Sequence, residues 1–154
     1  MGRVGAAEED RNRRLLRARD LIDRSSTEPL DVDVLASTAH MARAHFIREY
    51  RAAFGESPHR YLQRRRIERA MTLLRTTDTP VTQVCMEVGF TSLGTFSRTF
   101  RDIVGTSPSA YRAGVDPATG FVPTTFRMRW TRPAGPRRAA GSGPEERVSP
   151  DRAP

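Results

Sequence analysis

Arginine carries the chemistry that this sequence offers most plainly. The chain has 26 basic side chains and no lysine, so all of them are guanidinium groups. Arg48 and Arg98 occur in the same local pattern, Phe-x-Arg-x-aromatic-Arg, at a shift of about fifty residues. A guanidinium holds five N–H donors in a planar fork, which suits bidentate hydrogen bonds to a phosphate, a carboxylate or the O6 and N7 atoms of guanine. The two arginines are therefore candidates for binding a polyanion.

Residues that usually carry catalysis or bind a metal are sparse in this chain. The single cysteine, Cys85, excludes a disulfide framework and a cysteine-rich metal site. His40, His45 and His59 have no ligand-like spacing and no carboxylate pattern around them. We therefore expect no metal site, no cofactor and no catalytic residue. Cys85 falls on the apolar side of a predicted helix, where a buried structural thiol is the simpler interpretation.

Composition bounds the class of protein. With 154 residues, an apolar fraction of 37% and a net charge of +8, the chain can form one small domain with a tail. The positive charge favours a nucleic acid partner. No apolar run approaches the ~20 residues that span a bilayer, and the N-terminal residues lack the apolar core of a signal peptide. We expect a soluble, cytoplasmic protein with no membrane partner.

A helix-turn-helix pattern positions Arg98. Val84, Cys85 and Val88 recur at helical spacing, and Gly89 then interrupts the pattern. A second helix, predicted over residues 92–104, places its aromatic residues on the core side and Arg98 on the free side. In such a pair the second helix can lie in a DNA major groove.

The same outline occurs earlier in the chain and positions Arg48. Apolar residues recur in it, and so do the glycine that ends the second helix, the Ser-Pro pair after it and the outward arginine. In sequence order, Phe46, Arg48, Tyr50, Arg51, Gly55, Ser57, Pro58 and Tyr61 match Phe96, Arg98, Phe100, Arg101, Gly105, Ser107, Pro108 and Tyr111, and His40 lies opposite Gly89. Agreement at so many kinds of position indicates an internal duplication.

Other predicted helices include two outside these pairs and the first helix of the earlier copy. Residues 10–24 form an amphipathic helix, and Asp31 is expected to cap a helix that has Val34, Leu35 and Ala39 on its inner face. A long helix over residues 59–75 joins the two copies. Its arginine run, residues 64–66, is interpreted as a solvated face with Glu68 as a local partner, in preference to a contact with the DNA backbone.

The residues 89–112, GFTSLGTFSRTFRDIVGTSPSAYR, preceded by PVTQVC and by the looser first copy, resemble the DNA-binding domain of the AraC/XylS transcriptional regulators. The resemblance covers about residues 10–112. It implies an all-α fold of about seven helices, in which two helix-turn-helix units joined by a long linker helix bind the same face of one DNA duplex. Here a C-terminal extension follows that domain.

The resemblance also suggests a role for each exposed position. Direct base contacts are assigned to Arg48 and Arg98 and to the neighbouring specificity positions Ala44, Ile47, Leu93, Gly94 and Thr95. Phosphate contacts are assigned to Arg43, Arg51, Ser97 and Arg101. For Arg48 and Arg98 the alternatives are a phosphate contact or an internal salt bridge. For the flanking arginines the alternative is a solvated basic face.

Two residues of the first copy depart from the family pattern. His40 stands where the turn usually has glycine, at a place that needs a positive φ. Ala42 replaces the usual N-cap serine, which should cost about 1 kcal/mol of local stability. The first unit is therefore predicted to be the looser of the two DNA-binding units.

The expected domain organisation has four parts. Residues 1–9 are a flexible N-terminus, and residues 10–112 are the double helix-turn-helix domain. Residues 113–133 include FVPTTFRMRWTRP, whose period of two predicts a strand-like extension docked on the domain. Residues 134–154 are too poor in apolar side chains to fold and are expected to be disordered.

The function expected from these features is that of a sequence-specific transcriptional regulator that binds double-stranded DNA as a monomer. A linker helix of about 25 Å, with its turns, matches a separation near the ~34 Å of one DNA turn. RNA polymerase is a further candidate partner. The alternatives are a DNA-repair methyl acceptor using Cys85 and an antagonist that binds another regulator.

Overall fold

The computed structural model describes residues 2–114, and seven helices form this part of the chain. They are α1 (Gly2–Ser25), α2 (Val32–Thr38), α3 (Arg43–Phe54), α4 (Pro58–Thr76), α5 (Val81–Glu87), α6 (Leu93–Val104) and α7 (Pro108–Ala113). No strand occurs among residues 2–114. The prediction of an all-α fold with about seven helices is confirmed: α2–α3 form the first unit, α5–α6 form the second unit, and α4 joins them.

Helix α1 is longer than the sequence suggested. It begins at Gly2, so residues 2–9, which we expected to be a flexible N-terminus, are helical. Residues 6–9 are two alanines and two glutamates, which are strong helix formers. Ion pairs on the helix surface, from Arg11 to Glu8 and from Arg14 to Asp10, add to this preference. The buried face of α1 starts only at Leu15.

The interior consists of two separate apolar clusters. The first cluster joins α1, α2, α3 and the beginning of α4, and its members are Leu15, Ala18, Ile22, Leu35, Ala36, Ala39, Phe46, Tyr50, Phe54, Tyr61 and Leu62. The second joins the remainder of α4 to α5, α6 and α7, and includes Ile67, Leu74, Val84, Phe96, Phe100 and Tyr111. The boundary between them on α4 is the polar stretch of residues 63–66. Each half of the molecule therefore has its own small core.

The predicted helix ends are confirmed. Gly55 and Gly105 end α3 and α6 in the left-handed conformation, with φ of 79° and 95°. The hydroxyls of Ser57 and Ser107 accept hydrogen bonds from backbone N–H groups at the starts of α4 and α7. Asp31 caps α2, where its carboxylate accepts from the Val34 N–H at 2.9 Å. Local sequence thus determines where these helices start and stop.

One inward prediction on α2 is wrong. Val34 is 45% exposed, and Ala36, which is 3% exposed, takes the buried place beside Leu35. Leu35, Ala36 and Ala39 share one face of the helix and pack in the first core, whereas Val34 lies on the other side. The larger side chain is left at the surface.

The turns of the two units have the left-handed backbone that their sequences predicted. His40 has a φ of 53° and Gly89 has a φ of 101°. Histidine tolerates the left-handed region at some cost, so the first turn is the strained one. In the second turn a glycine is also needed for space, because a Cβ at position 89 would lie 2.9 Å from Nε of Arg66 and 3.0 Å from the carbonyl oxygen of Thr27.

The predicted docked extension and disordered tail, residues 113–133 and 134–154, lie outside the described residues except for Ala113 and Gly114. Ala113 is the last residue of α7. Within the described part of the chain, no helix has the length and apolar character needed to cross a membrane.

Candidate nucleic-acid interface

Helix α3 presents one face to the core and the other to solvent. Phe46, Tyr50 and Phe54 are buried at a spacing of four residues and hold the helix against α1 and α4. Arg48 and Arg51 lie on the opposite face and are exposed. The periodicity of the helix therefore determines which of its residues can meet a partner.

Helix α6 repeats this arrangement in the second half. Phe96 and Phe100 are fully buried, and Ile103 and Val104 join them in the second core. Arg98 and Arg101 are exposed, on the side predicted for them. Both helices span twelve residues and end at a left-handed glycine. The exposed faces of α3 and α6 are therefore equivalent surfaces of the two copies.

The exposed arginines of these helices differ in their partners. Within residues 2–114, Arg48, Arg51, Arg98 and Arg101 form no ion pair and no side-chain hydrogen bond, so their donors face solvent. Arg43, at the first position of α3, instead donates to the Asp33 carboxylate at 3.2 Å. Both side chains of that pair are exposed, at 62% and 66%.

The neighbouring predicted positions are also accessible. Ala44, Leu93 and Gly94 are exposed, whereas Ile47, Thr95 and Ser97 are partly exposed. Leu93 is 44% exposed, so its apolar side chain is accessible to a partner. These residues offer small or apolar surfaces and few hydrogen-bonding groups.

His45 belongs to the same surface and was missed in the sequence analysis. It is exposed in the first turn of α3 and occupies the place that Thr95 has in α6. The internal repeat was the signal that could have identified it. The same comparison pairs Ile47 with Ser97 and Arg43 with Leu93, so the surface of the first unit carries more basic groups than that of the second.

The starts of the two exposed helices are not equivalent. Ser92 caps α6, and its hydroxyl accepts from the Thr95 N–H at 3.3 Å. Ala42 occupies the N-cap of α3 and provides no side-chain hydrogen bond. The predicted lack of a cap in the first unit is therefore confirmed.

The arginine run of α4 is not the solvated face that we expected, although the predicted local partner Glu68 is confirmed for Arg64 and Arg65. Arg64 is bound to Glu56 at 2.6 Å, and its side chain is 16% exposed. Arg65 binds Asp23 at 2.9 Å and Glu68 at 2.6 Å. All three arginines are in the part-buried region between the two cores. No periodicity could reveal this, because Asp23 is distant in sequence.

Cys85 has the properties of a structural residue. It is 1% exposed and packs in the second core. Burial raises the pKa of its thiol, which lowers the fraction of reactive thiolate at neutral pH. Among the described residues, no group of three or more metal-binding side chains comes together. The surroundings of Cys85 are therefore those of an apolar core.

Comparison with known families and proteins agrees with this geometry. A family model described as a helix-turn-helix domain matches residues 35–114. The regulatory protein SoxS of Salmonella typhimurium is 34% identical over 91 residues, which cover 59% of this chain and 85% of SoxS. The MmsAB operon regulatory protein of Pseudomonas aeruginosa is 35% identical over 91 residues, but these cover only 30% of that longer protein.

Solved structures give the same result. The DNA-binding domain of the global transcriptional factor AdpA, in complex with a target DNA, matches with a TM-score of 0.61 and 35% identity, over 64% of this chain and 89% of that chain. A transcriptional regulator with an AraC-type DNA-binding domain from Chromobacterium violaceum has a TM-score of 0.61 and 29% identity, over 66% of this chain and 91% of that chain.

The duplicated units, the exposed arginine helices and these matches lead to one conclusion. The family model covers more than half of the chain, and the chain in turn covers most of SoxS. The chain belongs to the AraC/XylS family of helix-turn-helix transcriptional regulators.

Proposed function

We propose that the chain binds one DNA duplex as a monomer and inserts α3 and α6 into two successive major grooves. The observation that carries the proposal is the duplicated exposed face: two equivalent helices, each bearing two arginines whose donors find no partner within residues 2–114. An unpaired guanidinium on an exposed helix is available to a polyanion without breaking an internal contact. The similarity to the AdpA domain, which was solved in complex with a target DNA, supports DNA as the partner.

The length of α4 supports binding by a single chain. Its 19 residues correspond to about 28 Å of helix. With the turns at each end, this brings the separation of the two exposed helices near the ~34 Å of one DNA turn. One molecule would then occupy two grooves without a second copy.

Different arginines would have different tasks. Arg48 and Arg98 occupy equivalent central places on their helices, and we assign them to bidentate contacts with guanine. Arg51 and Arg101 lie one turn further along, nearer the helix end, and we assign them to phosphates together with Arg43 and Ser97. Ala44, Ile47, Leu93, Gly94 and Thr95 would contact bases mainly through thymine methyl groups. Sequence-dependent DNA shape would then contribute a large share of specificity.

The proposed mode of action is binding, not catalysis. Neither alternative is favoured, because the matched relatives are transcriptional regulators and Cys85 is buried. The chain would act in the cytoplasm, at the nucleoid, and RNA polymerase is the candidate partner through which bound protein alters transcription. A gain of methyl groups on Cys85 after incubation with alkylated DNA would instead support the methyl acceptor.

The assignment of tasks can be tested with Arg98→Ala and Arg101→Ala. Bound sites are first selected from random DNA with the full chain, and affinities are then measured by fluorescence anisotropy for the selected duplex and for a random duplex. Arg98→Ala should cost ~1–3 kcal/mol on the selected duplex and little on the random one. Arg101→Ala should weaken both and reduce the salt slope by about one.

Matched variants at the equivalent positions, Arg48→Ala and Arg51→Ala, provide the internal control in the first unit. Equal losses on selected and random DNA for Arg48 and Arg98 would reject their role in base contacts. The stoichiometry of the complex, measured by sedimentation, should be one chain per duplex. Two chains on a duplex of a single site would reject binding as a monomer.

A further inference from the structure

The relative placement of the two units is not set by a shared hydrophobic core. The two apolar clusters have no residue in common, and the polar residues 63–66 separate them on α4. Apolar packing fixes the helices within each half, because buried side chains interlock there. Between the halves, the continuous helix α4 and a small number of polar contacts have to hold the geometry.

Arg66 makes the most extensive of these contacts. Its Nε donates to the Ser26 carbonyl oxygen at 2.6 Å, and its Nη2 donates to the Glu28 carbonyl oxygen at 2.8 Å. These two carbonyls belong to the turn that follows α1, in the first half. Its guanidinium carbon lies 5.9 Å from the centre of the Phe90 ring, in the second half. One side chain of α4 therefore touches both halves.

Gly89 brings the turn of the second unit directly onto this arginine. A Cβ at position 89 would lie 2.9 Å from Nε of Arg66 and 3.0 Å from the Thr27 carbonyl oxygen. Such distances leave no room for a side chain. The turn between α5 and α6 thus packs through Arg66 onto the turn after α1. We call the contact of Arg66 with residues 26–28 and residues 89–90 the Arg66 junction.

An ion pair that also joins the two halves is weaker than the contacts of Arg66. Arg60 of α4 and Asp102 of α6 form an ion pair of 2.9 Å, but their side chains are 39% and 66% exposed. Exposed ion pairs add little rigidity, because solvent screens them and both side chains are long or free to turn. By contrast, the Arg66 guanidinium is partly buried, and its desolvation lowers the pKa of the group.

We propose that Arg66 is a positioning residue for DNA recognition: by joining the turn after α1 to the turn of the second unit, it fixes the spacing of the two DNA segments that one chain can bind. The proposal depends on the proposed function, since it concerns the distance between two grooves. Adding one base pair between the segments moves the second by ~3.4 Å along the axis and turns it by about 35°. If the Arg66 junction is rigid, the affinity for DNA falls when the spacing changes. If the junction is loose, DNA with an altered spacing is bound almost as well.

The test compares Arg66→Met with Arg112→Met in the full chain. Both substitutions keep an unbranched apolar stem and remove guanidinium donors from main-chain carbonyls. Arg112 donates to the carbonyls of Leu74, Thr77 and Thr79, so its contacts join α7 to the end of α4 and to the segment after it, all within the second half. Arg112→Met is therefore the matched control, because it removes an arginine of the same kind that does not connect the two halves.

The probes are the duplex selected from random DNA and two derivatives, with one base pair inserted or deleted between the protected segments. Wild-type protein should prefer the selected spacing over the derivatives by a ratio on the order of tenfold. Arg66→Met should bring that ratio toward one, mainly by gaining relative affinity for the altered spacings. Arg112→Met should leave the ratio unchanged even if it lowers all three affinities. An unchanged ratio in Arg66→Met overturns the proposal.

A second measurement does not depend on DNA. Ser37 and Met86 occupy exposed, equivalent places on α2 and α5 and can be replaced by cysteine for spin labelling, since Cys85 is buried. The distance distribution between the labels should broaden in Arg66→Met and remain narrow in Arg112→Met. Equal widths would overturn the proposal. If wild-type protein selects no DNA sequence, the proposed function fails, and the label distances alone decide whether Arg66 fixes the two halves.

Discussion

The hydroxyl of Tyr50 is the least satisfied group of the first core. The residue is fully buried, and its hydroxyl has no hydrogen-bond partner within residues 2–114. Burial raises the pKa of this hydroxyl, because a phenolate would be desolvated there. The equivalent residue in the second half is Phe100, whose ring makes the same kind of edge contacts without a hydroxyl. The buried hydroxyl of Tyr50 therefore lowers the stability of the first half, and Phe100 has no such group.

Tyr50→Phe should leave the free energy of unfolding unchanged or increase it by about 1 kcal/mol, since the variant no longer buries an unpaired hydroxyl. The measurement is chemical denaturation followed by circular dichroism. Tyr61→Phe is the control, because the Tyr61 hydroxyl donates to Asp23 at 2.6 Å and its loss should destabilise the protein. If Tyr50→Phe costs as much as Tyr61→Phe, the Tyr50 hydroxyl has a hydrogen-bond partner in solution.

At the scale of the element, the two exposed helices differ at their first turn. The backbone N–H groups at the start of a helix have no partner within the helix, and a side-chain oxygen at the N-cap satisfies one of them. Ser92 does this for α6, whereas Ala42 cannot do it for α3. The two helices have the same backbone geometry, but α6 has a side-chain cap and α3 does not.

Ala42→Ser should stabilise the protein by about 1 kcal/mol, and Ser92→Ala should destabilise it by a similar amount, because each adds or removes one cap hydrogen bond. Thermal and denaturant unfolding of the free protein would measure both changes. Ala44→Ser is the control for an added hydroxyl on an exposed position of α3 that is not the cap. The explanation fails if Ala42→Ser stabilises no more than this control.

At the scale of the whole molecule, the locally destabilising features all lie in the first unit. His40 holds a positive φ, Ala42 leaves α3 uncapped, and Tyr50 buries an unpaired hydroxyl. The second unit has a glycine, a serine and a phenylalanine at the equivalent places. Because the two halves have separate cores, these features can lower the stability of the first half without lowering that of the second. The first unit should therefore open more readily.

Native-state hydrogen exchange should show this asymmetry. Amides of α3 should exchange faster than those of α6, by roughly tenfold or more for a local difference of about 1–3 kcal/mol. Mass spectrometry of peptides from the two helices measures it in one sample. The Ala42→Ser variant should slow exchange in α3 and leave α6 unchanged. Equal protection of the two helices in the wild-type protein would contradict the predicted looseness of the first unit.

Much of the fold could be predicted because its determinants are local. The glycines at 55 and 105 and the Ser-Pro pairs act within a few residues of themselves, so the ends of α3, α4 and α6 followed from sequence alone. The spacing of four between Phe46, Tyr50 and Phe54 also assigned the exposed side of α3. The start of α1 was missed because its first residues form a helix without an apolar face.

The sequence by itself determined the duplicated units, the helix ends and the outward direction of Arg48 and Arg98, since periodicity and capping depend on neighbouring residues. Only the tertiary structure decided the role of residues 64–66. Arg66 binds Ser26, which is forty positions away, and Arg65 binds Asp23. A charged run on a helix has the same local sequence pattern whether it faces water or contacts other parts of the protein. Here the packing of α1 and of the second turn against α4 determines which of the two occurs.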